Sequence, residues 1–355
     1  MPVAVRDTTA DGSNIHVINP IDDNRWEELV ARHPRASVFH RRGWLEALAR
    51  TYGYEPRVLT TSAPGAQLSG GIVFCLISSW ITGTRLVSLP FSDHCEPLLD
   101  DVSQSAAFVS WLETECERKR WKYAELRPCL QDGRYGQPSR SYCFHELDLT
   151  PTLEQIFRKL HKDSIQRSIR RAEREQLSCE VGRSEKLLDD FYHLLLLTRR
   201  RHCLPPQPRI WFENLLQSMG DDVQIRVARK NGHAIAAMLT LRHRSCVTYK
   251  YGCSDEKLHK LGGMPFLFWK LIEESKESGA DNIDFGRSDL DNEGLITFKD
   301  KFGTEKRLLT YYRYPKRQAE LPVRKWDSPA MRRLLSIMPD AVLSAASRIF
   351  YRHMG

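Results

Sequence analysis

The chain contains no apolar run long enough to cross a membrane. Its longest uninterrupted stretches are IVFCLI and LLLL, whereas a spanning helix needs about 20 apolar residues. The first residues, MPVAVRDTTADGSN, have no basic stretch followed by an apolar one, so they do not resemble a secretion signal. These absences predict a cytoplasmic protein, with peripheral contact at the inner face of the membrane left open.

Cysteine pairs and the common catalytic signatures are also missing. The 9 cysteines are an odd number without CxxC spacing, which favours reduced, packed thiols over a disulfide framework or a zinc site. There is no GxSxG, HExxH or GxxxxGK[ST] sequence, which argues against a nucleophilic serine, a metalloprotease and a P-loop. No bound metal is predicted.

What the chain does have is length, basic charge and ample apolar material. Its 355 residues are more than a domain with one hydrophobic core usually contains, so about two domains are expected. The net charge of +8 favours anionic partners such as phosphates, nucleotides or an acidic membrane surface. A basic protein without such a partner would show the same charge.

The most informative segment runs from Tyr249 to Gly303. It predicts a strand, a glycine-bearing loop, an amphipathic helix after Pro265, a second strand, an acidic loop and a Lys-rich loop. A glycine-rich turn at a helix start binds anions because unpaired backbone N–H groups converge there. The pattern predicts a phosphate site at Gly262 and Gly263, to which two preceding residues add positive charge: His259 and Lys260.

Four fragments of this segment carry a family resemblance: YKYGCSD, HKLGGM, DFGRSD and GLITFKDKFG. In this order and spacing they resemble the FemAB-like branch of the GNAT N-acyltransferases. SVFHRRGWLEAL and SLPFSDHCEPLL in the first half extend the likeness. It implies an α/β protein of two tandem GNAT-like lobes, each a mixed, mostly antiparallel sheet flanked by helices. The expected divisions are a degenerate lobe over 14–148, a donor-binding lobe over 151–315 and a basic amphipathic helical tail over 316–355.

The resemblance implies direct acyl transfer from a co-substrate, with no bound cofactor. Asp284 and Asp289 flank a strand end and are the predicted bases, and the resemblance makes Tyr251 a candidate acid. The oxyanion would bind a backbone N–H of the strand that holds Tyr249, a predicted donor contact. Tyr251 could equally be an ordinary strand residue, and Asp284 could pair structurally with Arg287.

Further residues are predicted to contact the substrate. Arg167 and Arg171 lie on a basic helix stripe with Arg170 and Arg174 at i, i+3, i+4 and i+7, opposite Ile165, Ile169 and Ala172. A solvated helix face is the alternative. The resemblance assigns Asp93 and His94 to the acceptor side, although their segment could simply be a turn. It also assigns Arg287, Ser288 and Lys299 to the substrate. The loop CLPPQP is predicted to be rigid and exposed.

The predicted function is acyl transfer to an amine in cell-envelope polysaccharide or peptidoglycan precursor synthesis. No heptad stretch between Asp148 and Pro315 is long enough for the coiled-coil arm of tRNA-dependent relatives, which favours acyl-CoA as donor. The alternatives are transfer from aminoacyl-tRNA, transfer to a small soluble amine, and a non-catalytic polyanion-binding role. The expected partner is an anionic or lipid-linked sugar. Nucleic acid is expected only as tRNA, and the tail could contact a membrane.

Overall fold

The computed structural model describes residues 7–8, 14–129, 135, 138–315, 347 and 350–353. Most of the predicted helical tail over 316–355 lies outside the described residues. The strands are β1 (Asp7–Thr8), β2 (Asn14–Ile18), β3 (Glu55–Thr60), β4 (Gly70–Ile77), β5 (Arg85–Val87), β6 (Leu98–Leu99), β7 (Ala124–Leu126), β8 (Arg140–Asp148), β9 (Ser178–Gly182), β10 (Val223–Lys230), β11 (His233–His243), β12 (Cys246–Ser254), β13 (Asn282–Asp289) and β14 (Glu305–Tyr314).

The helices are α1 (Asn24–Arg32), α2 (Arg42–Tyr52), α3 (Ser105–Arg118), α4 (Leu153–Lys159), α5 (Arg167–Arg174), α6 (Glu185–Arg201), α7 (Arg209–Met219), α8 (Gly263–Glu277) and α9 (Glu293–Asp300). The segment GLITFKD, predicted as part of a Lys-rich loop, is therefore helical. Its first turn is capped by the Asn292 side chain, which accepts the Leu295 N–H at 3.1 Å. The loop prediction is wrong because this cap stabilises a short helix.

The described residues form two compact units. The first comprises those within Met1–Tyr142, Leu309–Leu321 and Arg348–Gly355. Its strand order is β1-β2-β3-β4-β5-β7-β14, with β6 paired to β4. Strands β5 and β7 are parallel and are joined through α3. Burial of Phe108 and Leu112 on α3 against Ile72 and Phe74 of β4 builds the core of this unit.

The second unit comprises the described residues within Cys143–Leu308 and Pro322–Ser347. Its strand order is β8-β13-β12-β11-β10-β9. β9 to β12 form an antiparallel meander, and β12 pairs in parallel with β13 through α8. The β10–β11 hairpin turns at Asn231 and Gly232, whose φ angles of 51° and 80° confirm the predicted tight turn.

Each unit therefore contains an antiparallel meander followed by a parallel β-α-β connection. The predicted α/β fold of two tandem GNAT-like lobes is confirmed. In the second unit, Ile165, Ile169 and Ala172 are buried against Phe268 and Leu271 of α8, as the helix spacing predicted. The core on this face of the sheet fixes α8 beside β12, and that placement builds the candidate site.

Candidate active site

A β-bulge divides β12 into two differently oriented parts. Leu239 of β11 pairs with Tyr251, whereas the next residue, Thr240, pairs with Tyr249, so Lys250 is the extra residue. A bulge shifts the side-chain alternation by one position. Tyr249 consequently packs on Phe268 of α8, with ring centroids 4.7 Å apart, and Tyr251 faces the opposite side of the sheet.

Strands β12 and β13 are paired along only part of their length. Their parallel register runs from Cys246 opposite Asn282 to Thr248 opposite Asp284. Beyond Thr248 the described residues of β12 have no partner on β13. The backbone N–H and C=O groups on that edge are therefore available to a ligand in extended conformation.

A pocket of about 360 Å³ lies beside this unpaired edge. The start of α8 forms one wall and the end of α6 forms another. The lining residues are Thr198, Arg201, His202, Ile235, Ala236, Tyr249, Gly252, Cys253, Ser254, Leu258, His259, Gly263, Met264, Pro265 and Phe298. Three of the predicted donor contacts, Tyr249, His259 and Gly263, are thus brought together.

The N-terminus of α8 opens into the pocket without a side-chain cap. Gly262 has the left-handed φ of +79°, and its carbonyl accepts the Phe266 N–H at 3.0 Å. A β-carbon on Gly262 would lie 2.5 Å from the carbonyl oxygen of Ser168 in α5. Glycine is therefore required for the close approach of α5 and α8, and the helix start keeps the backbone polarity that attracts anions.

Arg201, at the end of α6, is a pocket-lining residue with a permanent positive charge. Its Nη1 donates to Nε2 of His259 at 3.2 Å, and the Ser254 hydroxyl lies 2.8 Å from the same nitrogen. The Thr198 hydroxyl joins α6 to β12 by donating to the Ser254 carbonyl at 3.2 Å and accepting the Ser254 N–H at 2.9 Å. Arg201 has no carboxylate partner within the described parts of the chain, so its charge faces a site that suits an anion.

The positive charge predicted on His259 is not supported by this geometry. Partial burial and the Arg201 guanidinium lower the pKa of His259 below its ordinary 6.5. A guanidinium can only donate, so Nε2 must accept and the imidazole is neutral. The pKa of His202, which also lines the pocket, is lowered by partial burial and by Arg201. The positive charge of the pocket therefore belongs to Arg201.

Tyr251, the predicted acid, does not line this pocket. Its hydroxyl accepts hydrogen bonds from Gln207 Nε2 and Trp211 Nε1, each at 3.0 Å. The residue is 7% exposed and its ring packs edge-on against Phe212. The prediction treated Tyr249 and Tyr251 as neighbours at one site, and the bulge separates them.

The hydroxyl of Tyr249 is the polar aromatic group that faces the pocket. No other described residue makes a hydrogen bond to it. Burial raises the pKa of Tyr249 well above its ordinary 10, so the hydroxyl remains protonated. A β-carbon on Gly252 would lie 1.9 Å from this oxygen. Gly252 therefore leaves the space that the Tyr249 side chain occupies.

Hydrogen bonds within the second unit hold the DFGRSD segment of β13 in place. Asp284 is 2% exposed, and its Oδ1 accepts the Gly286 N–H at 2.6 Å. Lys299 of α9 is also buried and donates to the carbonyls of Gly286 and Arg287 at 2.9 and 3.1 Å. Both predicted functional side chains make contacts that hold the end of β13, and neither lines the pocket. Their catalytic and substrate roles remain predictions.

The remaining predicted residues of this unit lie outside the pocket lining. Arg287 and Asp289 are half-buried, and Ser288 is 2% exposed with an Oγ that finds no hydrogen-bond partner in the described chain. Lys260 is exposed on the 3₁₀ turn that precedes α8. None of these residues lines the pocket.

Arg167 and Arg171 are exposed on α5, as the stripe predicted. They flank Ser168, the residue whose carbonyl approaches Gly262. Neither has an ion-pair partner among the residues that the structure describes. Polyanion contact and a solvated helix face are both compatible with this placement.

Asp93 and His94 belong to the first unit. The Asp93 carbonyl accepts the Tyr311 hydroxyl at 2.5 Å, and the His94 ring packs edge-on against Phe39 at 5.4 Å. Their predicted acceptor-side role remains a prediction.

Four polar residues that line the pocket are not among the site residues predicted from the sequence: Thr198, Arg201, His202 and Ser254. The available signal was the TRRRH run at a helix end, where cations also satisfy the helix dipole. The loop after it was predicted to be exposed, yet its four residues from Pro205 to Pro208 are buried. That prediction is wrong because Gln207 is drawn inward by its bond to Tyr251.

The described residues contain no group of three or more His, Cys, Asp or Glu side chains arranged to hold a metal ion. Among the helices of the same residues, none has the length and apolar character needed to cross a bilayer.

Comparisons with known proteins agree with this architecture. Residues 159–299, which include every pocket-lining residue, match the acetyltransferase (GNAT) domain family. A search of curated protein sequences found no significant match.

Solved structures show the same fold at low sequence identity. FemX is 13% identical, with a TM-score of 0.63 over 81% of this chain and 95% of that one. L-PGS from Bacillus licheniformis is 18% identical, with a TM-score of 0.53 over 82% and 95%. The C-terminal DUF2156 domain of a protein assigned as a lysylphosphatidylglycerol synthetase of Agrobacterium fabrum is 18% identical, with a TM-score of 0.56 over 83% and 92%. Residues 159–299 thus match a GNAT acetyltransferase domain, and the chain shares the fold of FemX.

Proposed function

We propose that the protein transfers an acyl group from acyl-CoA to an amine of a cell-envelope precursor. One observation carries the choice of donor site: the uncapped start of α8, Arg201 and the unpaired edge of β12 all meet in one pocket. A phosphorylated, extended donor needs these three features together. The assignment of one structural relative as a lysylphosphatidylglycerol synthetase, a name that refers to a phospholipid, supports an envelope substrate.

The donor phosphates would bind at the start of α8. Backbone N–H groups at Gly263 and Met264 belong to the first helical turn, where the helix dipole favours negative charge. Arg201 adds a charge-assisted donor on the α6 side. The neutral His259 orients the Arg201 guanidinium by accepting a hydrogen bond from it. Because His259 is uncharged, it does not compete for the phosphate.

The thioester would lie along the unpaired edge of β12. The residues from Tyr249 to Cys253 present backbone groups there, and an N–H of this edge would stabilise the oxyanion of the tetrahedral intermediate. The amine nitrogen attacks the thioester carbon, the C–N bond forms and the C–S bond breaks. The departing thiolate takes a proton from the Tyr249 hydroxyl, which is protonated and faces the pocket.

The acceptor amine must also lose a proton. Asp284 and Asp289 are the two predicted bases, and we assign the role to Asp289, which is half-buried at the end of β13. Asp284 is less suited because it is 2% exposed and accepts the Gly286 N–H. The assignment of the base rests on this comparison of the two carboxylates.

The helix lengths favour a thioester over aminoacyl-tRNA as donor. Within residues 143–308 the longest helix is α6, with 17 residues. A coiled-coil arm would need a pair of helices spanning several heptads, and residues 143–308 are described without one. This difference is why we place aminoacyl-tRNA second.

Thermal unfolding of the full chain with acetyl-CoA, longer acyl-CoAs and free CoA tests the proposal. Ligand at about 100 times its Kd stabilises a protein by about 2.7 kcal/mol. Arg201→Gln should weaken binding about tenfold or more, since a hydrogen bond to a charged group contributes about 1.5–3 kcal/mol. The matched control is Arg158→Gln, whose side chain is 74% exposed on α4. Gly262 is a poor test position because its substitution strains the backbone.

A shift with one acyl-CoA that falls in Arg201→Gln and persists in Arg158→Gln would support the donor site and name the acyl group. Absence of a shift with every CoA would reject the thioester donor and leave aminoacyl-tRNA. Binding to polyanions with steep salt dependence, without acyl transfer, would favour a non-catalytic role.

A further inference from the structure

The loop between β4 and β5 exposes two adjacent large apolar side chains. Trp80 is 87% exposed and Ile81 is 58% exposed, the two highest values among large apolar residues of the described chain. Single exposed apolar residues are common, but a neighbouring pair at a turn is a concentrated apolar tip. Neither residue is required by the donor site, which lies in the other unit.

Hydrogen bonds hold the backbone of this tip in a defined turn. The Ser79 hydroxyl accepts the N–H of Ile81 at 3.2 Å and that of Thr82 at 2.9 Å. The Gly83 N–H donates to the Ser79 carbonyl at 2.8 Å. An ordered turn presents its side chains outward with little further entropy to lose on binding.

The base of the tip is anchored to the helical residues 350–353. His353 Nδ1 lies 2.9 Å from the Ser79 hydroxyl, and its carbonyl accepts from Thr82 Oγ1 at 2.9 Å and from Arg85 at 2.8 Å. The His353 ring also packs edge-on against the Trp80 indole, with centroids 5.8 Å apart. These contacts orient the indole while leaving most of it exposed.

One exposed cation contacts the loop that carries the tip, and three more are close in sequence to residues that contact this loop. Lys122 lies beside the loop, because its Cδ would be 3.6 Å from a β-carbon on Gly83 and its N–H donates to the Thr84 carbonyl at 2.7 Å. Three more exposed cations lie within three residues of Lys122 or next to His353: Lys119, Arg120 and Arg352. None of the four has an ion-pair partner within the described chain. Glu117, in the same segment as Lys119 and Lys122, is an exposed carboxylate.

We infer that the Trp80–Ile81 tip inserts into the interface of an anionic lipid bilayer while the four exposed cations contact its headgroups. Tryptophan prefers the membrane–water interface, and each basic residue near an anionic surface adds favourable attraction. A protein partner fits less well, since two side chains supply far less than the area of a stable protein interface. This inference is independent of the donor proposed above.

Co-sedimentation of the full chain with phospholipid vesicles tests the tip. Vesicles containing phosphatidylglycerol should bind the protein more tightly than vesicles of phosphatidylcholine alone. Trp80→Ser with Ile81→Ser should weaken binding about tenfold or more, and Lys119→Gln and Lys122→Gln should each weaken it about fivefold. The matched control pairs Val181→Ser with Leu308→Ser, at exposed apolar positions in the other unit.

Loss of vesicle binding in the tip variant, with retention in the control and unchanged melting temperatures, would support the inference. Equal binding by the wild-type chain and the tip variant would overturn it. So would dissociation of a dimer, or a lowered melting temperature, without any change in vesicle binding. Those results would mean that a second copy or another segment of the chain covers the tip. The acyl-CoA thermal shift is unaffected by the tip variant in every case.

Discussion

Tyr249 and Tyr251 are two positions apart on β12 and face opposite sides of the sheet. The bulge at Lys250 separates them. Tyr249 packs on Phe268 and lines the pocket, whereas Tyr251 accepts hydrogen bonds from Gln207 and Trp211. One inserted residue therefore decides which tyrosine can reach a ligand and which supports the fold.

The two tyrosines should respond differently to loss of the hydroxyl. Tyr251→Phe leaves two buried N–H donors without their acceptor and should lower the free energy of unfolding by about 1–3 kcal/mol. Tyr249→Phe should cost less than about 1 kcal/mol but slow acyl transfer about 100-fold or more if its hydroxyl is the acid. Urea unfolding and release of the CoA thiol measure the two effects. The reverse pattern would restore Tyr251 as the acid.

Substitution of Gly252 should displace Tyr249. A β-carbon there would meet the Tyr249 hydroxyl at 1.9 Å and its Cζ at 2.8 Å, so Gly252→Ala should destabilise the protein by about 1–3 kcal/mol. Tyr249→Phe removes the closer of these contacts. The double variant should therefore lose less free energy of unfolding than the two single variants lose in sum, by about 0.5 kcal/mol or more. Simple additivity in urea unfolding would contradict the contact.

Comparison of two glycines with similar backbone conformations measures the effect of the contact between α5 and α8. Gly262 and Gly279 have φ angles of +79° and +74°, but only Gly262 is close to another group, the Ser168 carbonyl. Gly279→Ala should cost about 1–2 kcal/mol from backbone strain alone. Gly262→Ala should cost about 1–3 kcal/mol more because a backbone oxygen cannot move aside cheaply. Equal losses in a denaturant titration would show that the helices separate without cost.

The buried His145 should make stability depend on pH. Burial and then the charge of Lys299 lower its pKa below the ordinary 6.5. The unfolded chain therefore binds a proton near pH 6.5 that the folded chain does not, so the contribution of His145 is complete above that value. It is lost as the pH falls from there toward the lower folded pKa.

Unfolding free energies between about pH 7 and pH 5 measure this dependence. His145→Gln should flatten the curve in that window, and His233→Gln at an exposed hairpin turn is the matched substitution. A curve for His145→Gln that parallels the wild-type curve would show that His145 is not the source of the loss.

Local signals in the sequence predicted much of the second unit correctly. Asn231-Gly232 predicted the hairpin, Pro265 and the apolar spacing predicted α8, and the basic stripe of α5 was identified with its buried face. The FemAB-like resemblance predicted the tandem fold. No sequence pattern predicts helix α7 or strand β14, and the sequence predicts a loop where α9 lies.

Side-chain periodicity and turn chemistry are properties of neighbouring residues, so the order of the main strands and helices and the glycine-bearing start of α8 could be deduced from the chain alone. The composition of the pocket could not. Arg201 and His259 are 58 residues apart in the sequence and meet because α6 and the turn before α8 pack at the same end of β12. The bulge at Lys250 likewise depends on pairing with β11, a contact between strands that no local pattern encodes. Tertiary packing therefore selected Tyr249 for the pocket, because only cross-strand pairing sets the face on which a strand residue lies.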